Sequence, residues 1–225
     1  MHRISIIIPA LNEAGGIQAI LEALQPLRAR GHEVVVVDGG SVDGTPQVAR
    51  AMADRVIASP RGRAAQQNAG AAAAAGDVLL FLHADTLLPP DADGLVLDGL
   101  QASGRGWGRF DVRLSGAAPL LRVVEWMMGV RSRVTGIATG DQAIFVRADW
   151  FRRAGGFPPM PLMEDVALSG ALKRLGPPLC LRARVTTSSR RWEQRGIART
   201  IVLMWRLRLA YALGADPARL ADRYR

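Results

Sequence analysis

Two residue types that carry much protein chemistry are nearly missing from this chain of 225 residues: one lysine, Lys173, and one cysteine, Cys180. A single thiol closes no internal disulfide and forms no cysteine pair for zinc. With no histidine beside it, it offers no nucleophile either. Set in the apolar stretch 179–181, it reads as a buried structural cysteine. No apolar run reaches the roughly 20 residues that span a bilayer. The strongest candidate, 117–130, is interrupted by Arg122 and Glu125. GxSxG, HExxH, P-loop and GxGxxG patterns are all absent, and the pair Gly15-Gly16 does not make a dinucleotide fingerprint. No basic segment followed by an apolar stretch and cleavage site opens the chain, so cytosol is the expected compartment.

What is present is arginine. Lys and Arg total 29 against 20 Asp and Glu, a net charge of +9. Abundant alanine and glycine beside that arginine suggest codon composition as one source of the excess. The remainder suits phosphorylated substrates or an anionic membrane surface. No basic run is interleaved with aromatics, which argues against nucleic acid. At 49% hydrophobic and 22% charged, the chain is globular.

The stretch 76–85, GDVLLFLHAD, organises the reading. Its unbroken apolar run 78–82 predicts a strand covered on both faces, ending in His83 and Asp85. Before it come an apolar run at 4–10, a helix capped by Asn12, an all-valine strand at 34–37, a short helix opened by Thr45-Pro46, a brief strand at 56–57 and a helix over 62–75. Ile17, Ile20, Leu21, Leu24 and Leu27 form the first helix's buried stripe. Such alternation calls for a parallel sheet between layers of helices. The second half is less regular. Alternation over 108–114 predicts a half-exposed strand with Arg109, Asp111 and Arg113 outward. Strands at 143–146 and 179–187 and helices at 148–154, 164–175 and 197–213 follow. One domain over 1–190 with a helical extension over 191–225 is the economical division.

Three acidic sites stand out. Asp38 after the second strand suits a ribose or base contact, or equally an Asx turn. His83 and Asp85 suit a divalent cation, or a capped surface turn. Glu164-Asp165 opens a helix, where acids also complement the macrodipole. Arg61 and Arg63, flanking Gly62 at a helix start, suit a phosphate, or are two solvated arginines. In the last helix the apolar 201–205 with Arg195, Arg199 and Arg206 has the make-up of an interfacial helix; the alternative packs it on the domain with its arginines in water.

Together these residues resemble the family-2 glycosyltransferases, whose fold is the GT-A (nucleotide-diphospho-sugar transferase) α/β three-layer sandwich with a mostly parallel central sheet. ISIIIPALNE, VVVVDGGSVDGT and GRAAQQNAGAAAAAGDVLLFLHAD resemble the donor half, and TGDQAIFVRADWFRRAGGF with MEDVALSGALKRLG the acceptor half. LHADT, TGDQAIFVR, MEDV and SSRRWEQRG are similar to the stand-alone radical-SAM/selenodomain-associated transferases. The resemblance implies inverting transfer of a sugar from a nucleoside diphosphate to a hydroxyl of a small-molecule or lipid acceptor. It implies donor contacts from Pro9, Asn12, Glu13, Asp38, Gly40, Arg61, Arg63, Asn68, His83, Ala84 and Asp85. Mg²⁺ or Mn²⁺ would sit on Asp85, with His83 beside it. Asp165 would be the base, assisted by Glu164, with Gly140, Asp141, Gln142, Arg191 and Trp192 on the acceptor side. Peripheral membrane contact and oligomerisation stay open.

Three positions depart from the pattern: Gly39 stands where many members have a second acid, His83 replaces the first acid of DxD, and Ser188 stands where QxxRW has glutamine. The departures at 39 and 83 keep a catalytically weak nucleotide-sugar-binding module in view. A nucleotidyltransferase is the other rival, but LNEAGG lacks the basic residue that chemistry needs near the first strand.

Overall fold

A computed structural model describes residues 2–224. The elements run β1 (Ile4–Ala10), α1 (Ala14–Ala29), β2 (Glu33–Asp38), α2 (Thr45–Arg50), β3 (Arg55–Ala58), α3 (Arg63–Ala73), β4 (Val78–Phe81), β5 (Thr86–Leu87), α4 (Ala92–Ser103), β6 (Trp107–Leu114), α5 (Pro119–Thr135), a 3₁₀ turn (Gly140–Gln142), β7 (Phe145–Arg147), α6 (Ala148–Ala154), α7 (Glu164–Leu175), β8 (Leu179–Thr187), α8 (Arg190–Arg195), α9 (Ile197–Ala212) and α10 (Pro217–Tyr224). One sheet in the order β3-β2-β1-β4-β7-β6-β8-β5 carries them. β3, β2, β1 and β4 are parallel to one another, β7 is antiparallel to β4 and β6, and β8 runs parallel to β6.

The continuous apolar runs have a simple cause. Successive strand side chains point to opposite faces, and here both faces are covered. Ile4, Ile6, Ile8, Val34, Val36, Val78 and Leu80 join one core with α1, α4 and α5. Ile7, Val35, Val37, Leu79 and Phe81 join the other with α3, α6 and α7. The five residues expected on the stripe of α1 are the five buried there. A third, smaller cluster joins Leu162 and Met163, before α7, to Leu207, Leu220 and Ala221 of the last two helices.

Several local expectations are corrected. Asn12 does not cap α1. Glu13 occupies the cap position, and the Asn12 side chain instead accepts the Val42 N–H at 3.0 Å. Gly44 with φ 90°, rather than Thr45, caps α2. Arg109 does not point to water: it is fully buried, ion-paired with Asp111 and donating to the Gly129 carbonyl at 3.3 Å. Burial of a cation needs such partners, and α5, packed over that face of β6, supplies the carbonyl.

Candidate active site

Beyond the carboxyl ends of β1 and β4 lies a cleft of about 730 Å³. Pro9 and Glu13 enter it from β1 and its loop, Arg61 and Arg63 from the start of α3, and His83, Ala84 and Asp85 from the end of β4. Gly140 and Asp141 enter from the 3₁₀ turn, Glu164 and Asp165 from the start of α7, and Arg191 and Trp192 from α8. Residues expected at the site from both halves of the chain therefore meet in one place.

Five others do not line it. The amide of Asn68 donates to the Phe157 carbonyl at 2.8 Å and accepts its N–H at 2.9 Å, pinning the turn after α6. Asn68 faces a separate cavity that reaches His2, Gly76 and Asp77. Gln142 is fully buried: its Oε1 accepts the Thr139 N–H at 3.2 Å and its Nε2 donates to Ser132 Oγ at 3.2 Å. Asp38 makes the Asx turn, accepting the N–H groups of Gly40 and Ser41 at 3.1 Å each, so Gly40 is part of that turn. Asn12 lies exposed on the loop beside it.

That loop is tied to the one after β1. Asn12 N–H donates to Ser41 Oγ at 2.9 Å, Glu13 N–H to Thr45 Oγ1 at 2.8 Å and Ala14 N–H to Asp43 Oδ2 at 3.0 Å. The N-terminus of α1 is thus capped from another loop, leaving the Glu13 side chain free for the cleft. Burial raises the Glu13 carboxyl first, and the Asp85 carboxylate raises it further. Asp85 itself is exposed, and among the described residues its hydrogen bond is a long one from Thr86 Oγ1 at 3.3 Å. Among the described residues no group of three or more His, Cys, Asp or Glu converges to hold a metal. A cation at Asp85 would complete its shell from phosphate oxygens and water, as Mg²⁺ commonly does.

His83 leans on the 3₁₀ turn. Its Nδ1 lies 3.4 Å from Asp141 Oδ1, and a Cβ at Gly140 would collide with its Nε2. Both ring nitrogens thus have neighbours on the 3₁₀ turn, while His83 still lines the cleft beside Asp85. Desolvation opposes the charge of Asp141, yet His83, with Arg63 and Arg208 further off, outweighs it and holds the carboxyl at about 2. Gly140 in turn donates its N–H to Asp165 Oδ2 at 2.7 Å, while Asp165 Oδ1 accepts the Val166 N–H at 2.7 Å. Each carboxylate oxygen has a further acceptor direction. Glu164 is buried, with Arg63 Nη1 4.0 Å from its Oε1. Its carboxyl is raised, by burial first and by Asp165 second.

Strain marks the same region. Asn12, Ala143 and Met163 are the described non-glycine residues with positive φ, at 55°, 45° and 68°. They sit on the loop after β1, at the end of the 3₁₀ turn and directly before Glu164. Such conformations cost about 1–3 kcal/mol each and gather at functional sites.

The sequence reading missed part of the lining. Gln66 Nε2 donates to the carbonyls of Ala10 and Val37, at 2.9 and 2.8 Å, and so ties the ends of β1 and β2. Thr200, Met204 and Arg208 of α9 also line the cleft, with Arg190, Arg195 and Tyr224. The four-residue spacing of Thr200, Met204 and Arg208 was the available signal.

Among relatives, the succinoglycan biosynthesis protein ExoA of Rhizobium meliloti (strain 1021) is 51% identical over 49 residues, 21% of this chain and 15% of that one. The glucosyl-3-phosphoglycerate synthase of Mycobacterium tuberculosis (strain H37Rv) is 30% identical over 96 residues, 38% of this chain and 30% of that one. The chain therefore matches under a third of the length of these relatives. Among solved structures, the mannosyltransferase PcManGT from Pyrobaculum calidifontis, in complex with GDP-Man and Mn²⁺, superposes with a TM-score of 0.69 at 22% identity, covering 99% of this chain and 69% of that one. These likenesses establish the GT-A fold. The model of the glycosyl transferase family 2 matches residues 5–122, just over half of the chain, and the chain belongs to that family.

Proposed function

We propose that the protein is an inverting glycosyltransferase that moves a sugar from a nucleoside-diphosphate sugar to a hydroxyl on a small-molecule or lipid acceptor. The observation that carries this reading is the meeting of Asp85, Arg61, Arg63 and Asp165 in one cleft at the carboxyl ends of the strands. Asp165 takes the proton of the acceptor hydroxyl, whose oxygen bonds to the anomeric carbon from the face opposite the diphosphate. The bond between that carbon and the diphosphate oxygen breaks, and its electron pair leaves with the diphosphate. Arg61 and Arg63 stabilise the charge that develops there. Asp85, with His83 beside it, would hold Mg²⁺ or Mn²⁺, which would supply positive charge against the leaving diphosphate. His83 positions Asp141, and the Gly140 N–H orients Asp165. A single base and no enzyme nucleophile give inversion.

The complexes of structural neighbours support the donor class: PcManGT with GDP-Man and Mn²⁺, and the M. tuberculosis synthase with UDP and Mn²⁺. Gly39, in place of a second acid, leaves uridine and guanosine as alternatives. Residues 1–190 form the transferase unit in this reading, and 191–225 are an extension packed on it. The resemblance of LHADT, TGDQAIFVR, MEDV and SSRRWEQRG supports membership of the radical-SAM/selenodomain-associated subgroup. A thermal-shift panel of nucleoside diphosphates and nucleotide sugars, with and without Mn²⁺ or Mg²⁺, tests the donor site. A metal-dependent rise with one nucleotide class is expected, together with slow donor hydrolysis. No shift with any donor in either metal would overturn the reading.

A further inference from the structure

Two helices that pack against each other, α5 and α9, each leave an apolar stripe uncovered. On α9, Val202, Trp205, Leu209 and, just past its end, Leu213 recur at helical spacing, with Trp205 62% and Leu213 79% exposed. On α5, Leu120, Val123, Trp126, Val130 and Val134 share one side, with Trp126 67% exposed. The opposite sides of both helices are already used. Leu121 and Val124 of α5 pack in one core with Ile197 and Ile201 of α9, and Thr200, Met204 and Arg208 line the cleft. Large exposed apolar side chains gathered on adjacent helices mark an interaction surface.

Charge selects the occupant. α9 contains no Asp or Glu, and its Arg199 and Arg206 are exposed at the edge of the stripe. The only acid of α5 is Glu125, which is buried, accepts the Leu114 N–H at 2.6 Å and is ion-paired with Arg113 and Arg122. The surface therefore combines tryptophan, aliphatic side chains and arginines that have no acidic partner among the described residues, within a chain of net charge +9. A second copy would bring the same arginines face to face. An anionic bilayer offers the complement: acyl chains for the stripes, the interface for the two tryptophan rings and acidic headgroups for the arginines. Among the described residues no helix is long and apolar enough to cross a membrane, so contact is at the surface. We infer that the α5–α9 face docks this protein on an anionic membrane surface, with α9 forming the wall between that surface and the cleft. The inference is independent of the transfer chemistry.

Flotation of the full chain with phosphatidylcholine vesicles containing about one third phosphatidylglycerol tests it, against pure phosphatidylcholine vesicles. Binding to the anionic vesicles, a blue shift of tryptophan emission on binding and weakening by salt are expected. The double variant Trp126→Ser/Trp205→Ser should lose at least about tenfold in partition, and Arg199→Gln/Arg206→Gln a smaller part. Both should keep the wild-type melting temperature and nucleotide-induced shift. No partition into anionic vesicles overturns the inference. So does partition unaffected by the tryptophan substitutions, or self-association of wild type that those substitutions abolish while no vesicles are bound, which would assign the face to a second copy.

Discussion

The wall of the cleft made by β1, β4 and α3 is backed by the sheet, whereas on the wall made by residues 139–142, α7, α8 and α9 the helices have apolar packing of their own and the groups facing the cleft are fixed by single polar contacts. Behind the first wall, alternate strand residues fill two cores, and Gln66 clamps the ends of β1 and β2 from inside. Behind the second, Gly140 hangs on Asp165, Asp141 on His83, and Ser169 Oγ bridges the N–H and carbonyl of Ala138 at 3.1 Å each. Arg191 is held by hydrogen bond and ring stacking to Tyr224 of α10. A wall fixed by the core moves only if the domain opens. One fixed by a few hydrogen bonds adjusts at the cost of those bonds alone. Substitutions should therefore register as turnover on the second wall and, where they touch its packing, as stability on the first.

The largest expected effect belongs to Asp165. Asp165→Asn keeps the size of the side chain and an acceptor for the Gly140 N–H but cannot take a proton, so transfer should fall by roughly 10²–10⁴-fold. Metal-dependent nucleotide binding, measured by calorimetry on the same preparation, should be unchanged. A fall in donor affinity instead would place Asp165 on the other wall. Next comes Asp85→Ala. Because Asp85 is exposed and takes little part in packing, the fold should survive while the apparent affinity for nucleoside diphosphate in Mn²⁺ drops about ten- to a hundredfold. Wild-type binding of nucleotide and Mn²⁺ by the variant would remove the cation from this residue.

The same division governs what the sequence disclosed. On the core-backed wall each strand residue lies in one of two apolar layers, so composition alone located β1, β2 and β4 and the stripe of α1. α4, running ADGLVLDGLQAS, went unseen because Gly94, Asp98 and Gly99 dilute its helical signal. β5 has two residues, too few for any period. Arg109 broke the alternation of β6 because its partners come from α5 and from two positions along its own strand. On the contact-held wall, motif resemblance located Asp165, Gly140 and Asp141. It misplaced Gln142, whose amide is consumed by Thr139 and Ser132. Nothing local in the sequence announces that α9 folds back to set Arg208 beside Asp165 and Asp141, where burial lowers the guanidinium and the two carboxylates oppose that shift.

Gly70→Ala tests the core-backed wall away from the cleft. A Cβ there would run into Ile7 Cγ2 and lie 2.9 Å from Val37 Cγ2, in the layer between α3 and the sheet. Overpacking of this kind costs about 1–3 kcal/mol. The urea midpoint should fall with an unchanged slope, while turnover per folded molecule stays near wild type. Loss of turnover without loss of stability would mean that α3 positions the donor more delicately than its packing suggests.

The smallest effect, and the sharpest in sign, concerns Glu164, the buried neighbour of the base. Its carboxyl is raised above 4.5 by burial and by Asp165, against the pull of Arg63. The folded protein therefore holds this proton more tightly than the unfolded chain does. The stabilisation that follows is complete below the unfolded value and is lost as pH climbs through the raised one. Glutamine copies the protonated form. Glu164→Gln should match wild type in melting temperature at acid pH, where both are uncharged, and exceed it increasingly as pH climbs through the raised value and wild type takes on a buried charge. Its transfer rate should fall far less than that of Asp165→Asn, since the adjacent side chains diverge by about 100 degrees around the helix and only one faces the acceptor. A variant less stable than wild type at neutral pH would show that the charge is retained for Arg63, 4.0 Å away. An inactive Glu164→Gln beside a near-normal Asp165→Asn would exchange the roles of the two acids.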